Sequence, residues 1–335
     1  MQLLSKRGKA PYNWFETKEF LALARLIGSP INGAYGWIKV GPITIQPAEY
    51  LKIIIIWYLA QRFSKQQDEI AVYDFQVLTL NQWLPRAFND WRFVLLVMIG
   101  SLAIFPDLGN ATILILVSLL MYTISGIAYR WFTTILGLLA GVSMISLTAI
   151  RFIGVEKFSK IPVFGYVAKR FSAFFNPFND LAGSGHQLAN SYYAMVNGGW
   201  FGLGLGNSIE KRGYLPEAHT DFVFSIVIEE FGFVGASLIL ALLFFLILRI
   251  ILVGIRARDP FNSMVAIGIG GMILIQVFVN IGGISGLIPS TGVTFPFLSQ
   301  GGNSLLVLSV AIAFVLNIDA SEKRAKLYRE LEAQL

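Results

Sequence analysis

Seven apolar stretches run through this 335-residue chain, and they constrain its fold more than any motif does. They lie at about 46–63, 92–106, 108–127, 130–150, 222–250, 263–284 and 301–318, the second being short and cut from the third by Pro106–Asp107. A helix needs about 20 mostly apolar residues to cross a bilayer. With no water in the hydrocarbon core, the backbone must satisfy its own hydrogen bonds, so such runs are read as helices and not strands. Composition agrees: 55% of residues are hydrophobic and 14% charged, where soluble domains carry about 25% charged. The fold class expected is an all-α polytopic membrane protein, a bundle of about seven transmembrane helices with one large external loop. The absence of Cys excludes a disulfide framework and thiol catalysis. Two separated histidines, His186 and His219, leave little for a His-based metal centre. A net charge of +6 would suggest nucleic acid in a soluble protein, but here its placement is what matters.

Lys and Arg in short loops set orientation. One side holds Arg62, Lys65, Arg86, Arg92, Arg130, Arg249, Arg256, Arg258, Lys323, Arg324, Lys326 and Arg329, and the short loops opposite hold only Lys39. The loop at 64–91 and the tail at 319–335 are therefore expected in the cytoplasm. Residues 1–45 form an N-terminal segment and external loop, followed by helices over 46–150. A large external loop spans 151–221, and helices return over 222–318 with an irregular external loop at 282–304. The start, MQLLSKRGKAPYNWF, carries no apolar h-region, so no cleavable signal is expected. Phe20–Ile27 is apolar but too short to cross. It reads either as an interfacial helix, with Trp14 and Phe15 at headgroup level, or as the end of a longer helix.

The long external loop breaks the charge pattern, since it holds Arg151, Lys157, Lys160, Lys169, Arg170, Lys211 and Arg212. Long loops escape the orientation rule. Either these charges decorate a soluble cap, or they await an anionic ligand, such as a phosphate, at the outer face. Glycine and proline gather on this side, in Asn197–Ser208 and Gly282–Ser304. Irregular backbone at membrane depth is tolerated where it lines a cavity or is buried in protein. The GxGxG in Gly202–Gly206 has no βαβ unit around it and is not a dinucleotide loop.

Ionisable groups beside apolar runs are costly without partners. Glu49 and Lys52, three apart on a helix, can pair as a structural salt bridge or serve a ligand. Asp107 is placed to cap the helix that follows it. Glu229 and Glu230 diverge by about 100° on a helix, so at least one faces the interior. Asp221 follows Glu217 and His219 at the external mouth of a span, beneath the basic loop. There it is either an N-cap or surface residue, or a general base for an anionic, membrane-borne substrate.

The motifs carry a resemblance. Asn32–Lys52 (NGAYGWIKVGPITIQPAEYLK), Pro106–Ala111 (PDLGNA), Arg170–Ser191, Gly198–Gly232 and Asn280–Ser304 are similar, in order, to segments of the SEDS family (shape, elongation, division and sporulation) of membrane peptidoglycan polymerases. The run through GLGNS and PEAHTDF looks more like the division branch than the elongation branch. Tyr35–Gly36 and Gln300 depart from common family residues. The family usually has ten spans, so the resemblance also implies that this chain lacks two and most of a third at its start.

The implied activity is an inverting peptidoglycan glycosyltransferase. It polymerises lipid II into glycan strands at the outer face of the bacterial cytoplasmic membrane, during septal wall synthesis and cell division. The resemblance puts the catalytic carboxylate on Asp221. It puts substrate contacts on Glu49, Lys52, Arg170, Lys211, Arg212, Glu217, His219, Ser299, Gly301, Gly302, Asn303 and Ser304. It further implies a divalent cation (Mg or Mn), a class B penicillin-binding protein and other divisome proteins as partners, and no nucleic acid. Two rival readings are a lipid II flippase and an inactive, shortened scaffold of the division machinery.

Overall fold

The computed structural model describes residues 38–40, 43–65, 107–126, 164–181, 183 and 185–334, with isolated positions at 100, 133, 137, 141, 144–145 and 148. The spans expected at 92–106 and 130–150, the Phe20–Ile27 segment and nearly all of the 64–91 loop lie outside the described residues. A small antiparallel hairpin, β1 (Ile38–Val40) and β2 (Ile43–Ile45), pairs Ile38 with Ile45 where only an external loop was expected. Helix α1 (Pro47–Lys65) follows, then α2 (Leu108–Ile124). The long segment expected to be an external loop holds α3 (Phe164–Phe175) and α4 (His186–Gly198). The C-terminal half is α5 (Val223–Arg256), α6 (Pro260–Ile284) and α7 (Gly302–Glu332).

Local chemistry sets the starts of these helices. Asp107 accepts the Asn110 N–H at 3.2 Å and so caps α2, as its position suggested. Asp259 caps α6 by accepting from the Phe261 N–H, with Pro260 in the first turn, where its missing N–H costs nothing.

Helix α6 is the centre of the bundle, packing against α1, α2, α4, α5 and α7. Its most apolar window is 72% buried, against 22% for that of α5. Both are long and apolar enough to cross a membrane, as is α7. A polytopic chain places such a contrast between a core helix and a lipid-facing one. The GIGG run in α6 lets neighbours approach, since a Cβ on Gly268 would sit 2.6 Å from Met121 Sδ and 2.8 Å from Ile56 Cγ2. Trp57 on α1 meets Phe261 of α6 and Phe314 of α7, each at 5.2 Å between ring centroids. Near the start of α1 the Glu49 carboxylate accepts from Lys52 at 2.6 Å, and both residues are buried.

Helix α5 is broken. Gly232 has φ 70° and ψ −178°, and the glycine-rich Gly198–Gly206 segment lies against the break. The Leu203 and Gly204 N–H groups donate to the Glu229 and Glu230 carbonyls, each at 2.9 Å. In return the Phe233 N–H reaches the Gly199 carbonyl at 2.9 Å and the Val234 N–H that of Trp200 at 3.1 Å. The backbone groups freed by the break are thus re-satisfied by another segment. A Cβ on Gly232 would collide with the Phe201 N–H and the Trp200 carbonyl, so only glycine fits.

The break buries both acidic side chains that follow Ile228, not just one. Glu229 accepts from the Ser208 hydroxyl, from the Ile209 N–H at 3.1 Å and from the Glu210 N–H at 3.4 Å. Glu230 takes the Lys211 ammonium and the Ser208 N–H.

Helix α7 runs for 31 residues, so the span expected at 301–318 and the cytoplasmic tail form one element. At about 1.5 Å per residue it measures about 46 Å, longer than the roughly 30 Å hydrocarbon core. Its continuity carries the tail out along the span's own axis.

Candidate active site

Asp221 stands just before α5, on a turn closed by Glu217. Glu217 has a left-handed backbone (φ 56°). Its carbonyl accepts the N–H groups of Thr220 at 3.1 Å and Phe222 at 3.3 Å, and its carboxylate accepts the Thr220 hydroxyl at 2.8 Å. Three donors from the C-terminal elements hold the carbonyls of residues 219–221. The Gln300 N–H reaches the His219 carbonyl at 2.8 Å, Ser299 Oγ that of Thr220 at 2.6 Å, and Asn280 Nδ2 that of Asp221 at 2.7 Å.

The half-buried Asp221 side chain lines a small cleft that is partly open to solvent. Its other walls come from Arg170 on α3, Gln187 on α4, Asn280 and Gly283 on α6, and Ser290–Val293 of the irregular loop. Arg170 donates to the Ser290 carbonyl. A Cβ on Gly292 would lie 3.0 Å from Arg170 Nη2 and 3.3 Å from Asp221 Oδ2. Guanidinium and carboxylate therefore share the bare backbone of Gly292, whose φ of 73° also favours glycine. The start of α2 abuts the same loop, because a Cβ on Gly109 would collide with the Thr291 carbonyl.

Burial is the largest influence on Asp221, and it pushes the carboxyl up to about 6. Arg170 pulls it down, Glu217 and Asp107 push it up, and His219 pulls it down. A carboxyl with a pKa near 6 is mostly ionised at neutral pH and more basic than an ordinary Asp, which suits proton abstraction.

Of the residues singled out in the sequence, Asp221 and Arg170 line the cleft, while Glu217 and His219 flank Asp221. Ser299 turns inward to the backbone, accepting from the Phe295 N–H at 2.6 Å as well as donating to Thr220. Ser304 meets Thr294 Oγ1 at 3.3 Å, and Asn303 donates to the Thr44 carbonyl of the hairpin at 2.7 Å. Gly301 and Gly302 start α7. Lys211 is held by Glu230, and Arg212 is exposed on a short 3₁₀ turn, so neither lines the cleft. Glu49 and Lys52 satisfy each other in the core. Asn280, Gln187 and Ser290 went unnoticed in the sequence. An amide in the apolar run of α6 is costly for the same reason as a charge, and that signal pointed to Asn280.

The expected divalent cation can be tested against the side chains present. Asp107 already accepts from Asn110, and Glu217 from Thr220. The positive group facing Asp221 is a guanidinium, and among the described residues no three acidic or imidazole side chains converge. This donor set does not form a protein-only metal centre, and the local counter-charge is Arg170.

Comparison with known proteins places this arrangement. The chain is 52% identical over 301 residues to the "probable peptidoglycan glycosyltransferase FtsW" of Lactococcus lactis, covering 89% of this chain and 72% of that protein. It is 38% identical over 314 residues to the Bacillus subtilis protein of the same name, covering 93% of this chain and 74% of that protein. With the stage V sporulation protein E of Bacillus subtilis it shares 38% over 300 residues, or 89% of this chain and 75% of that protein. Among solved structures, one chain of a peptidoglycan synthase complex superposes with a TM-score of 0.68 at 24% identity, covering 92% of this chain and 80% of that chain. The Thermus thermophilus rod shape determining protein RodA does so at 0.57 and 24%, covering 92% and 77%. These two establish the fold as that of a polytopic membrane protein. The family model described as "Cell cycle protein", that of FtsW, RodA and SpoVE, matches residues 11–324, and the chain belongs to this family.

Proposed function

We propose that the chain is a peptidoglycan glycosyltransferase of septal wall synthesis, with Asp221 as its general base and lipid II as its substrate. The observation that carries the reading is a single basic carboxylate beside one guanidinium, in a cleft at the start of α5. The reaction needs that pair. The hydroxyl of an acceptor GlcNAc attacks the anomeric carbon of a donor sugar, whose bond to undecaprenyl pyrophosphate breaks. The hydroxyl proton passes to Asp221, and the pyrophosphate leaves with the bonding electrons. Attack opposite the leaving group turns an α-linked donor into a β-linked product. Inverting hydrolases need a second carboxyl as acid, but pyrophosphate leaves without protonation, so a cation suffices there. Arg170 supplies it. A Mg²⁺ or Mn²⁺ ion would enter this reading only as a companion of the pyrophosphate, adding positive charge there.

The site of action in this proposal is the outer face of the bacterial cytoplasmic membrane, at the division septum. A class B penicillin-binding protein and other divisome proteins are the partners that would use the strands. The test is polymerisation of purified lipid II in detergent, where no bilayer exists to flip across. Glycan strands from the wild type and none from Asp221→Asn, with both proteins melting alike, are expected. Strands made at the normal rate by Asp221→Asn would falsify the assignment of the base. Lipid II movement across vesicles without any product in detergent would point to a transporter.

A further inference from the structure

We propose that Asn280 is the positioning residue of the Asp221 base, acting with Ser299 as a clamp on its backbone; this rests on the reading of Asp221 as base. The carbonyls of His219, Thr220 and Asp221 precede α5, and the Ser225 N–H, which could have reached Asp221, bonds instead to the Phe222 carbonyl at 3.0 Å. Orphan carbonyls at such a place are costly unless partnered. The partners come from elements more than fifty residues later, with Gln300, Ser299 and Asn280 taking one carbonyl each. The base is therefore located by α6 and the loop before α7, and not by the helix that follows it.

Asn280 does more than fill a vacancy in that set. Its amide nitrogen also donates to the Val293 carbonyl at 2.6 Å, so one carboxamide spans the cleft floor. It ties the backbone of Asp221 to the strip of loop that carries Gly292, against which the Arg170 guanidinium lies. Both neighbours are carbonyl oxygens, so the group facing them must be the NH₂ end, which fixes the orientation of the amide. Asn280 is 4% exposed and its Oδ1 has no protein partner. A buried amide with one end unsatisfied is retained at a cost, and the two bonds at its other end are what that cost secures. Replacement by Asp would set oxygen against two carbonyls, Ser offers one donor, and Gln is one methylene too long.

The groups that set the charge around Asp221 are Arg170 from α3, Glu217 and His219 from its own turn, and Asp107 from the start of α2. Helix α4, helix α6 and residues 290–293 present only uncharged side chains to the cleft. Releasing the clamp lets Asp221 move toward water, and burial is the chief reason its carboxyl is raised. The acid limb of the rate profile should then move from near 6 toward the ordinary carboxylate range.

The test compares purified wild type, Asn280→Ala, Ser299→Ala, Ser299→Thr and Asp221→Asn on lipid II across pH. For Asn280→Ala we expect kcat to fall about 10–100-fold, the range a misplacement of about 1 Å can cause, with KM little changed and the acid midpoint lowered. Ser299→Ala should show the same pattern more weakly, and Ser299→Thr, which keeps the hydroxyl, should restore it. Loss in Asn280→Ala with an unmoved midpoint would mean a purely structural role and overturn the proposal. Wild-type kcat in that variant beside an inactive Asp221→Asn would overturn the clamp and leave the base intact. Should Asn280→Ala fail to fold, the Ser299 pair decides: equal impairment of Ala and Thr overturns the proposal.

Discussion

Two acidic sites lie within one short stretch of chain, and the molecule treats them in opposite ways. Glu229 and Glu230 are buried and occupied, accepting from the Ser208 hydroxyl, a row of loop N–H groups and the Lys211 ammonium. Asp221 is half-buried, faces a cleft, and feels burial and through-space charge with no hydrogen bond to its carboxylate among those influences. In the first pair the side chain is consumed and the backbone is broken at Gly232. At Asp221 the backbone is held at three carbonyls and the side chain is left for chemistry. A carboxylate meant for proton transfer needs its position fixed through something other than its own oxygens, because donors on those oxygens lower its basicity.

The contrast can be broken most severely at its reactive end. Asp221→Asn should lower kcat about 10²–10⁴-fold, the usual worth of a general base, while the melting temperature in detergent stays put. Glu229→Ala should do the reverse. It strands the Ile209 and Glu210 N–H groups and the Ser208 hydroxyl, at about 1–3 kcal/mol each. Thermal melting should fall sharply and limited proteolysis should cut within 198–212, with activity per folded molecule largely kept. Gly292→Ala forces a side chain into left-handed backbone, about 1–2 kcal/mol, and pushes on Arg170 and Asp221 together. A tenfold lower kcat/KM on lipid II, with a modest drop in melting, would fit.

Acid should act on the reactive end. As the proposed base, Asp221 works ionised, and its pKa is raised to about 6, so kcat should hold above that value and fall as pH drops through it. One unit below the midpoint the loss is about tenfold. The smallest effect belongs to Lys211→Met. With a side chain 35% exposed, its pair with Glu230 is worth about 1 kcal/mol or less. KM for lipid II should not move, since Lys211 lies off the cleft.

The sequence was legible where physics acts locally. Apolar length marked α5, α6 and α7, Asp107 announced its cap, and the i,i+3 spacing of Glu49 and Lys52 foretold their bond. Asp221 stood out because a carboxylate at the mouth of a span is expensive without a purpose. What stayed hidden depends on distant pairing. Lys211 and Arg212 read as phosphate ligands by charge, yet nothing in their spacing says that Glu230 takes one of them. Ser299 looked like a substrate contact and proves to hold backbone, because only the folded loop brings it to Thr220. The break at Gly232 was masked because the apolar stretch around it reads as a single helix.

That break also bears on how the protein is made. Residues 198–204 leave the ribosome before residues 229–234, the only described backbone that their N–H and carbonyl groups pair with across the break. The segment 198–204 must therefore wait without these backbone partners until Glu229 through Val234 have been made. Only then can it seal, so completion of this region is tied to the order of synthesis.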